Sequence, residues 1–499
     1  MATYHNDIGG YIIMDKTKVY GIQFDEAVPR GGEQRILDAE NMKNDYVVGS
    51  EFQLNGGSND FDKAYPFGAM RLCNVSVVNG ERRVVYANEP GFTRTGENGN
   101  VMVEIPKFYS KREKSGTVER WMISGTKHPG FELEPVFTRG DRELDVIYVG
   151  SYNIQNRGNG LFSSTGGFPD VCKGAADFRK EITEAGYDPY DLAVYLCLQK
   201  LIVIEFGTRY VKQHLGGIGF LRYASKVTPK SAIQAMGPGY ITINAIGWGD
   251  HFAPGHEIGV GRKEHDPNYI HRTITKMEVN PENSEWLDIY YAGEDLQGIV
   301  EPINDAAFGI PQKNGLADGI SYHTGRGTLK SLSPETEYLV NAFQYRGIEN
   351  VWGNVWENLA GLRIRSLHYS YTFDPELYDE ESDKWKKVSY QAPCQHYLTA
   401  KATNLWIDSM GYDPEEPLLL LPQHSVGDDK QFGNYYDSVV YAYLDKNYAD
   451  APVDLNTEFG FSVGGGFDHS VFGSLFTYRG FMAMNSGNWL YSNRICLRK

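Results

Sequence analysis

Over the first hundred residues the apolar positions fall in short extended runs, YIIM, KVYGIQF, RLCNVSVV and RRVVYA, broken by GG, NGG, NG and NGN. Runs of this length, rich in β-branched residues and separated by residues that accept turn conformations, predict a small β module with hairpins over residues 1–99. The segment NVMVEIPKFYSK, residues 100–111, alternates and predicts a strand, with Pro106 at an edge or an end because it has no N–H to donate to a ladder. Residues 123–152 read as extended segments finishing in a buried strand, DVIYVGSY.

The period then changes. Residues 175–185 predict a helix ended by Gly186. PYDLAVYLCLQKLIVIEFGTRYVKQHL, starting at Pro189, predicts a second that runs to Gly216-Gly217. The second is apolar almost all round, so it is expected to be buried on most sides and to form the core of its domain. Residues 241–325 are richer in Gly and Pro and read as a β-rich insertion, with residues 272–296 forming a hairpin around NPEN. From Tyr338 onward the pattern gives short strands and long polar loops. No repeat of 20–50 residues is visible, which argues against a solenoid or propeller. The expected class is α+β: a β module over 1–99 for attachment or oligomerisation, then one domain over 100–499 carrying the inserted β region.

Composition adds a functional hint. The 499 residues include 34 Tyr and 55 Gly, and Tyr with Gly, Asn and Ser is the mixture that adaptable binding surfaces use. A tyrosine-rich β protein would look the same. The formal net charge of −16 opposes binding to phosphate backbones, so no nucleic-acid partner is expected. The five cysteines, Cys73, Cys172, Cys197, Cys394 and Cys496, include no CxxC pair and are odd in number. They read as small buried apolar side chains made in a reducing cytoplasm, neither a disulfide framework nor a zinc site. The N-terminus lacks a basic region followed by an apolar core, so no signal peptide is expected. The apolar run 192–206, cut by Gln199 and Lys200, is short of the roughly 20 residues of a membrane span.

Several groupings resemble catalytic or metal motifs in letters. Gly460–Gly464, GFSVG, matches a nucleophile elbow, but the glycines that follow make a poor helix start, and Asp468-His469 are adjacent, too close to return as separate triad arms. A strand ending in a glycine turn is the simpler reading. His251, His256, Glu257 and His265 cluster without the HExxH spacing, and intervening Gly and Pro deny the helix that would put two imidazoles on one face. The acids Asp413, Glu415 and Glu416, and those of 379–383, could be imagined as a glycosidase pair, but acid runs in so acidic a chain are usually solvated loops. Glu301-Pro302-Ile303-Asn304 comes nearest to a calcium-lectin triplet and has one residue too many. No cofactor, metal or catalytic residue is expected.

One series of segments carries a resemblance. KAYPFGAMRLCNV (63–75), VMVEIPKFYSK (101–111), PGFELEPVFTRGDRELDVIYVGSY (129–152), LQKLIVIEFGTRY with Gly216-Gly217, YRGIENVWGNVWE (345–357) and a glycine-rich aromatic tail follow one another in order. The series is similar to tail proteins of bacteriophages and prophages whose C-terminal domain has the C-type-lectin fold of the formylglycine-generating-enzyme branch, some of them diversified by retroelements. That resemblance implies a scaffold of Trp352, Asn354, Trp356, Glu357, Gly464, Gly465, Phe476 and Arg494. It also implies a variable binding region over 464–496. Its solvent-facing residues would be Phe467, Asp468, His469, Ser470, Thr477, Tyr478, Arg479, Asn485, Ser486, Asn488, Trp489, Tyr491 and Asn493. Phe476, Leu490 and Ile495 are expected to pack inward. The cysteine pair of the oxidase branch has no counterpart, since Cys496 stands alone. The implied function is attachment of a virion to a bacterial surface receptor, protein or glycan, by a chain made in the host cytoplasm, assembled with other virion proteins and trimeric. A structural virion subunit and a polysaccharide-degrading tailspike are the alternatives.

Overall fold

A computed structural model describes residues 2–5, 11–28, 32–44, 59–158, 160–215, 230–244, 254–255, 257–262, 270–302, 304–320, 323–326, 342–365, 368–379, 384–393, 405–426, 439–442, 458–466, 473–482 and 491–499. Helix α1 (Ala175–Glu184) and helix α2 (Leu192–Phe206) are the only α-helices longer than one turn among them. The α+β expectation is therefore corrected: among the described residues strand makes up 44% and helix 12%, and they are β-rich, with several antiparallel sheets.

The second helix is shorter than its apolar pattern predicts. Asp191 starts it, its side chain accepting from the Val194 N–H at 2.8 Å. Gly207 ends it with φ 68°, a left-handed conformation that glycine adopts without a Cβ penalty. The last-turn carbonyls are taken by other chain segments: Arg35 donates to Glu205 O at 2.5 Å and Asn44 to the same oxygen at 3.1 Å. The apolar residues beyond Gly207 pack as a turn and the short helix Lys212–Leu215.

All fifteen residues of α2 are buried, and around it lies one core that runs from Met14 to Cys496. Strands from both sides of residue 99 share two sheets. Val19–Asp25 pairs antiparallel with Val118–Ser124 in a five-stranded sheet. In a six-stranded sheet, Asn100–Pro106 lies between Arg71–Val78 and Val146–Gly150, with Pro106 at its end, and Val146–Gly150 pairs in turn with Ile495–Leu497. The chain terminus is thereby stitched to its first third. A nine-stranded sheet built mainly from residues 356–492 forms the other side of the core.

Residues 230–309 do something different. Six strands, Lys230–Gly237, Tyr240–Asn244, Glu257–Gly261, Ile270–Val279, Trp286–Ala292 and Ala306–Gly309, close into a barrel with its own apolar core. Ile270–Val279 and Trp286–Ala292 are the two arms of the hairpin around NPEN. Closure leaves no free edge, so the barrel needs no neighbouring strand to satisfy its backbone.

Of the cysteines, Cys73, Cys197 and Cys496 are buried thiols, whereas Cys172 is exposed, contrary to expectation, on a φ of 67° in the loop before α1. Cys394 lies outside the described residues. No helix among the described residues is long and apolar enough to cross a membrane.

Candidate binding site

The segments that carry the resemblance meet in space. Glu357, at the end of GNVWE, accepts from Arg494 Nε at 2.9 Å and from Asn153 Nδ2 at 2.6 Å. Arg494 spends its other donors on the carbonyls of Gly150 (2.8 Å) and Glu349 (2.9 Å). One guanidinium thus joins the tail to DVIYVGSY and to YRGIE. Burial pushes the Glu357 carboxyl above its ordinary range, and Arg494 opposes the shift. Trp352 and Trp356 are buried in the core beside it, and the Trp356 strand pairs in parallel with Tyr491-Ser492. Phe476 is buried as well, as is Ile495; Leu490 lies outside the described residues.

A second node repeats the device. Arg346 donates to both carboxylate oxygens of Glu205 (2.8 and 2.7 Å), to Phe67 O (3.0 Å) and to Asp62 (3.1 Å). It stands at φ 48° with Gly347 at 86°, the two-residue turn of a tight hairpin, where Asn-Gly would be the usual choice. A left-handed arginine costs about 1–3 kcal/mol, and the buried ion pair holds it there. At the C-terminus, Arg498 pairs with Asp191 at 2.6 Å and donates to Thr138 O at 2.6 Å and Phe373 O at 2.9 Å. Sequence reading missed Arg346, Glu205, Asp191 and Arg498. The signal was present as charged residues inside apolar runs, since such charges are tolerated only when paired.

The expected solvent-facing patch is only partly where the sequence put it. Thr477, Tyr478, Tyr491 and Asn493 are buried, which corrects their assignment to an open surface. Tyr478 packs edge-on against Tyr195 at 5.6 Å and its hydroxyl donates to Leu420 O at 3.0 Å. Asn493 instead accepts from the Tyr190 N–H through its side chain at 3.2 Å, tying the last strand to the start of α2. Arg479 is half-buried, its guanidinium 5.3 Å from the ring centres of both Trp356 and Tyr491. Phe467, Asp468, His469, Ser470, Asn485, Ser486, Asn488 and Trp489 lie outside the described residues. Gly465 packs directly against Gly473, so these two positions stand side by side.

The motif-like groupings resolve into structure. Ser462 of GFSVG is buried in the strand Phe459–Val463 and donates to Asn358 at 3.0 Å. Glu257 binds Thr273 at 2.7 Å and Lys313 at 3.1 Å, while His251, His256 and His265 lie outside the described residues. Asp413 caps its own loop through the Glu415 N–H, Glu416 pairs with Lys386, and Asp379 pairs with Arg179 at 2.6 Å. Asp62, His323 and Thr324 do form a hydrogen-bonded line, at 3.0 and 2.8 Å. Thr324 is fully buried, however, and its oxygen accepts from the Arg346 N–H at 3.0 Å, which leaves it no approach to a substrate. Among the described residues no three His, Cys, Asp or Glu side chains are placed to hold a metal ion.

The barrel is clamped to this frame at GNVWE. Asn354 accepts from the Gln312 N–H at 2.9 Å and donates to Gln312 O at 3.0 Å, and the Gln312 side chain accepts from the Glu257 N–H on a barrel strand at 3.0 Å. Close by, Glu349 accepts from the Gly315 N–H at 2.9 Å and the Ala317 N–H at 2.8 Å. Burial pushes its carboxyl up to about 7, although these backbone donors oppose the shift. Compared with models of known protein families and with curated proteins, the chain gives no match.

Proposed function

We propose that the chain is a receptor-binding component of a bacteriophage or prophage particle, part of a tail fibre or equivalent appendage, which attaches the virion to a bacterial surface. The supporting observation is that three of the segments that resemble phage tail proteins, 129–152, 345–357 and the C-terminal tail, converge on the buried Glu357–Arg494 node. A frame so heavily cross-tied is suited to hold contact segments in fixed relative positions, which lowers the ordering cost of binding. In this reading the receptor contacts are Phe467, Asp468, His469, Ser470, Arg479, Asn485, Ser486, Asn488 and Trp489. Single sites of this kind are weak, and several copies on one particle, a trimer in the simplest fibre, raise avidity through local concentration. The chain performs no chemistry on its receptor.

A structural role in the virion is the second reading. It is favoured by the burial of Tyr478 and Tyr491, which removes two aromatic anchors from the expected patch. The two are separated by immobilising the full-length chain and measuring capture of cells from a panel of bacterial strains. The whole chain is used because Val19–Asp25 pairs with Val118–Ser124 and its residues share the main core. Attachment predicts capture of at least one strain and about a tenfold loss in a His469→Ala, Trp489→Ala variant. Capture of no strain favours the structural role, undiminished capture by the variant removes these contacts, and release of sugar fragments into the medium would point to an enzyme.

A further inference from the structure

The outward face of the barrel is organised in cross-strand rows. In one row Gly237, Tyr240, Tyr290 and Lys276 stand directly opposite one another on four neighbouring strands. In the next stand Ala235, Thr242, Asp288 and Glu278, and beyond it Asn244 faces Trp286. The intervening residues Ile241, Ile243, Leu287, Ile289 and Met277 point inward and fill the core. A barrel closed around an apolar interior would ordinarily show water a polar outside, yet Tyr240, Tyr290 and Trp286 are partly exposed on the same face.

These rings are held in place. A Cβ at Gly237 would fall 2.2 Å from the Tyr240 ring, so the ring lies flat over a position that only glycine leaves open. The Tyr290 ring follows at 5.4 Å, tilted by 37°, and its hydroxyl donates to Glu278 at 2.7 Å. The Lys276 ammonium sits 5.1 Å from the Tyr290 ring centre and pairs with Glu278 at 2.6 Å. In the next row the buried Asp288 accepts from Thr242 at 2.6 Å and from Asn280 at 2.9 Å. The result is a pre-ordered strip of ring faces bordered by the exposed Glu278 carboxylate, with little rotamer freedom left to lose on binding.

We propose that this strip, centred on Tyr240 and Tyr290, is a docking platform for a neutral, hydroxyl-rich glycan of the bacterial surface. The inference rests on the attachment reading and adds a site and a ligand class to it. Sugar rings present an apolar C–H face that stacks on an aromatic ring, and hydroxyls at their edges that donate to carboxylates; the strip offers both groups side by side. Charge selects among polymers. Glu278 and Asp288 outweigh Lys276 locally, and the whole chain carries −16, so phosphate- or uronate-bearing chains are repelled and uncharged ones are not.

The test uses the full-length protein on a printed panel of neutral hexose and N-acetylhexosamine oligomers beside uronic-acid and phosphodiester-linked ones. The wild type is expected to bind a neutral member. Tyr240→Ala and Tyr290→Ala should each weaken binding about tenfold, and Tyr290→Phe, which keeps the ring, should stay within about threefold. Should an alanine variant melt early, hydrogen exchange on the wild type decides instead: the bound oligomer must protect residues 286–292. Binding restricted to charged oligomers, no binding at all, unchanged affinity in both alanine variants, or protection elsewhere overturns the proposal. Cell capture keeps the two readings apart. If Tyr240→Ala and Tyr290→Ala capture cells as the wild type does, attachment stands and the platform falls. If the platform binds its oligomer but the protein captures no strain, the platform stands and attachment falls.

Discussion

The frame and the barrel are both β structures around a closed core, but they are stabilised in opposite ways. The frame buries ion pairs: Glu205–Arg346, Glu357–Arg494, Asp191–Arg498, Arg112–Glu119 and Glu134–Lys200 all lie within it, each with partners from distant segments. The barrel encloses an apolar cluster, and two carboxylates that its strands bury are satisfied nearer at hand, Glu257 by Thr273 and Lys313, Asp288 by Thr242 and Asn280. Apolar packing tolerates several arrangements, whereas a buried carboxylate is satisfied in only one. We read the frame's pairs as fixing which loops and strands meet, with less net stability than their number suggests. The barrel needs no such specification, since closure and hairpin register already fix its pairing.

The largest test of this contrast is Arg346→Ala. It leaves Glu205 buried without its cation and should cost about 3–5 kcal/mol, read as a fall in the chemical-denaturation midpoint of the main transition. A replacement of both partners by apolar residues that proved as harmful as the single change would break the specification argument. In the barrel, Ile289→Ala should cost about 2–5 kcal/mol through the cavity it leaves. Hydrogen exchange should rise over 230–309 and stay unchanged in α2. Spread of the effect into α2 would show that the two cores are one cooperative unit.

The clamp between the regions is expected to depend on pH. The Glu349 carboxyl titrates near 7 in the folded chain, above its ordinary value, because of burial. The folded state therefore holds the proton more tightly than the unfolded state, so this contribution is complete below the unfolded value and is lost as pH rises through 7. The wild type should lose up to about 3 kcal/mol relative to Glu349→Gln between pH 5 and pH 8. Parallel stability curves for the two proteins would remove Glu349 from the account. The smallest expected effect is Gln312→Ala, about 1–3 kcal/mol from the barrel-strand N–H it strands. It should appear as faster exchange at Glu257 with the frame unaffected.

How much could be read in advance differs between the regions. The hairpin around NPEN was visible because alternation and turn residues are local signals, and it stands as two arms of the barrel. Closure was not visible, since it requires Lys230–Gly237 and Glu257–Gly261 each to pair with Ala306–Gly309 across tens of residues. The apolar run of α2 foretold burial, but its length was misjudged because Gly207 and the Arg35 contact to Glu205 O stop the helix where apolar character continues. In the tail, composition suggested an exposed aromatic patch. Tyr478 and Tyr491 contradict that for themselves, because exposure is decided by neighbours such as Tyr195 and Trp356 that lie far away in the chain.

By itself the amino-acid sequence determined where strands and turns form, that α2 would be buried, and which charges stand inside apolar runs, because these depend on residues within a few positions of one another. Only the tertiary structure decided which charge meets which, that residues 230–309 close on themselves, and which aromatic rings face water. Each of those outcomes is a pairing between groups up to hundreds of residues apart, settled by the burial cost of every alternative.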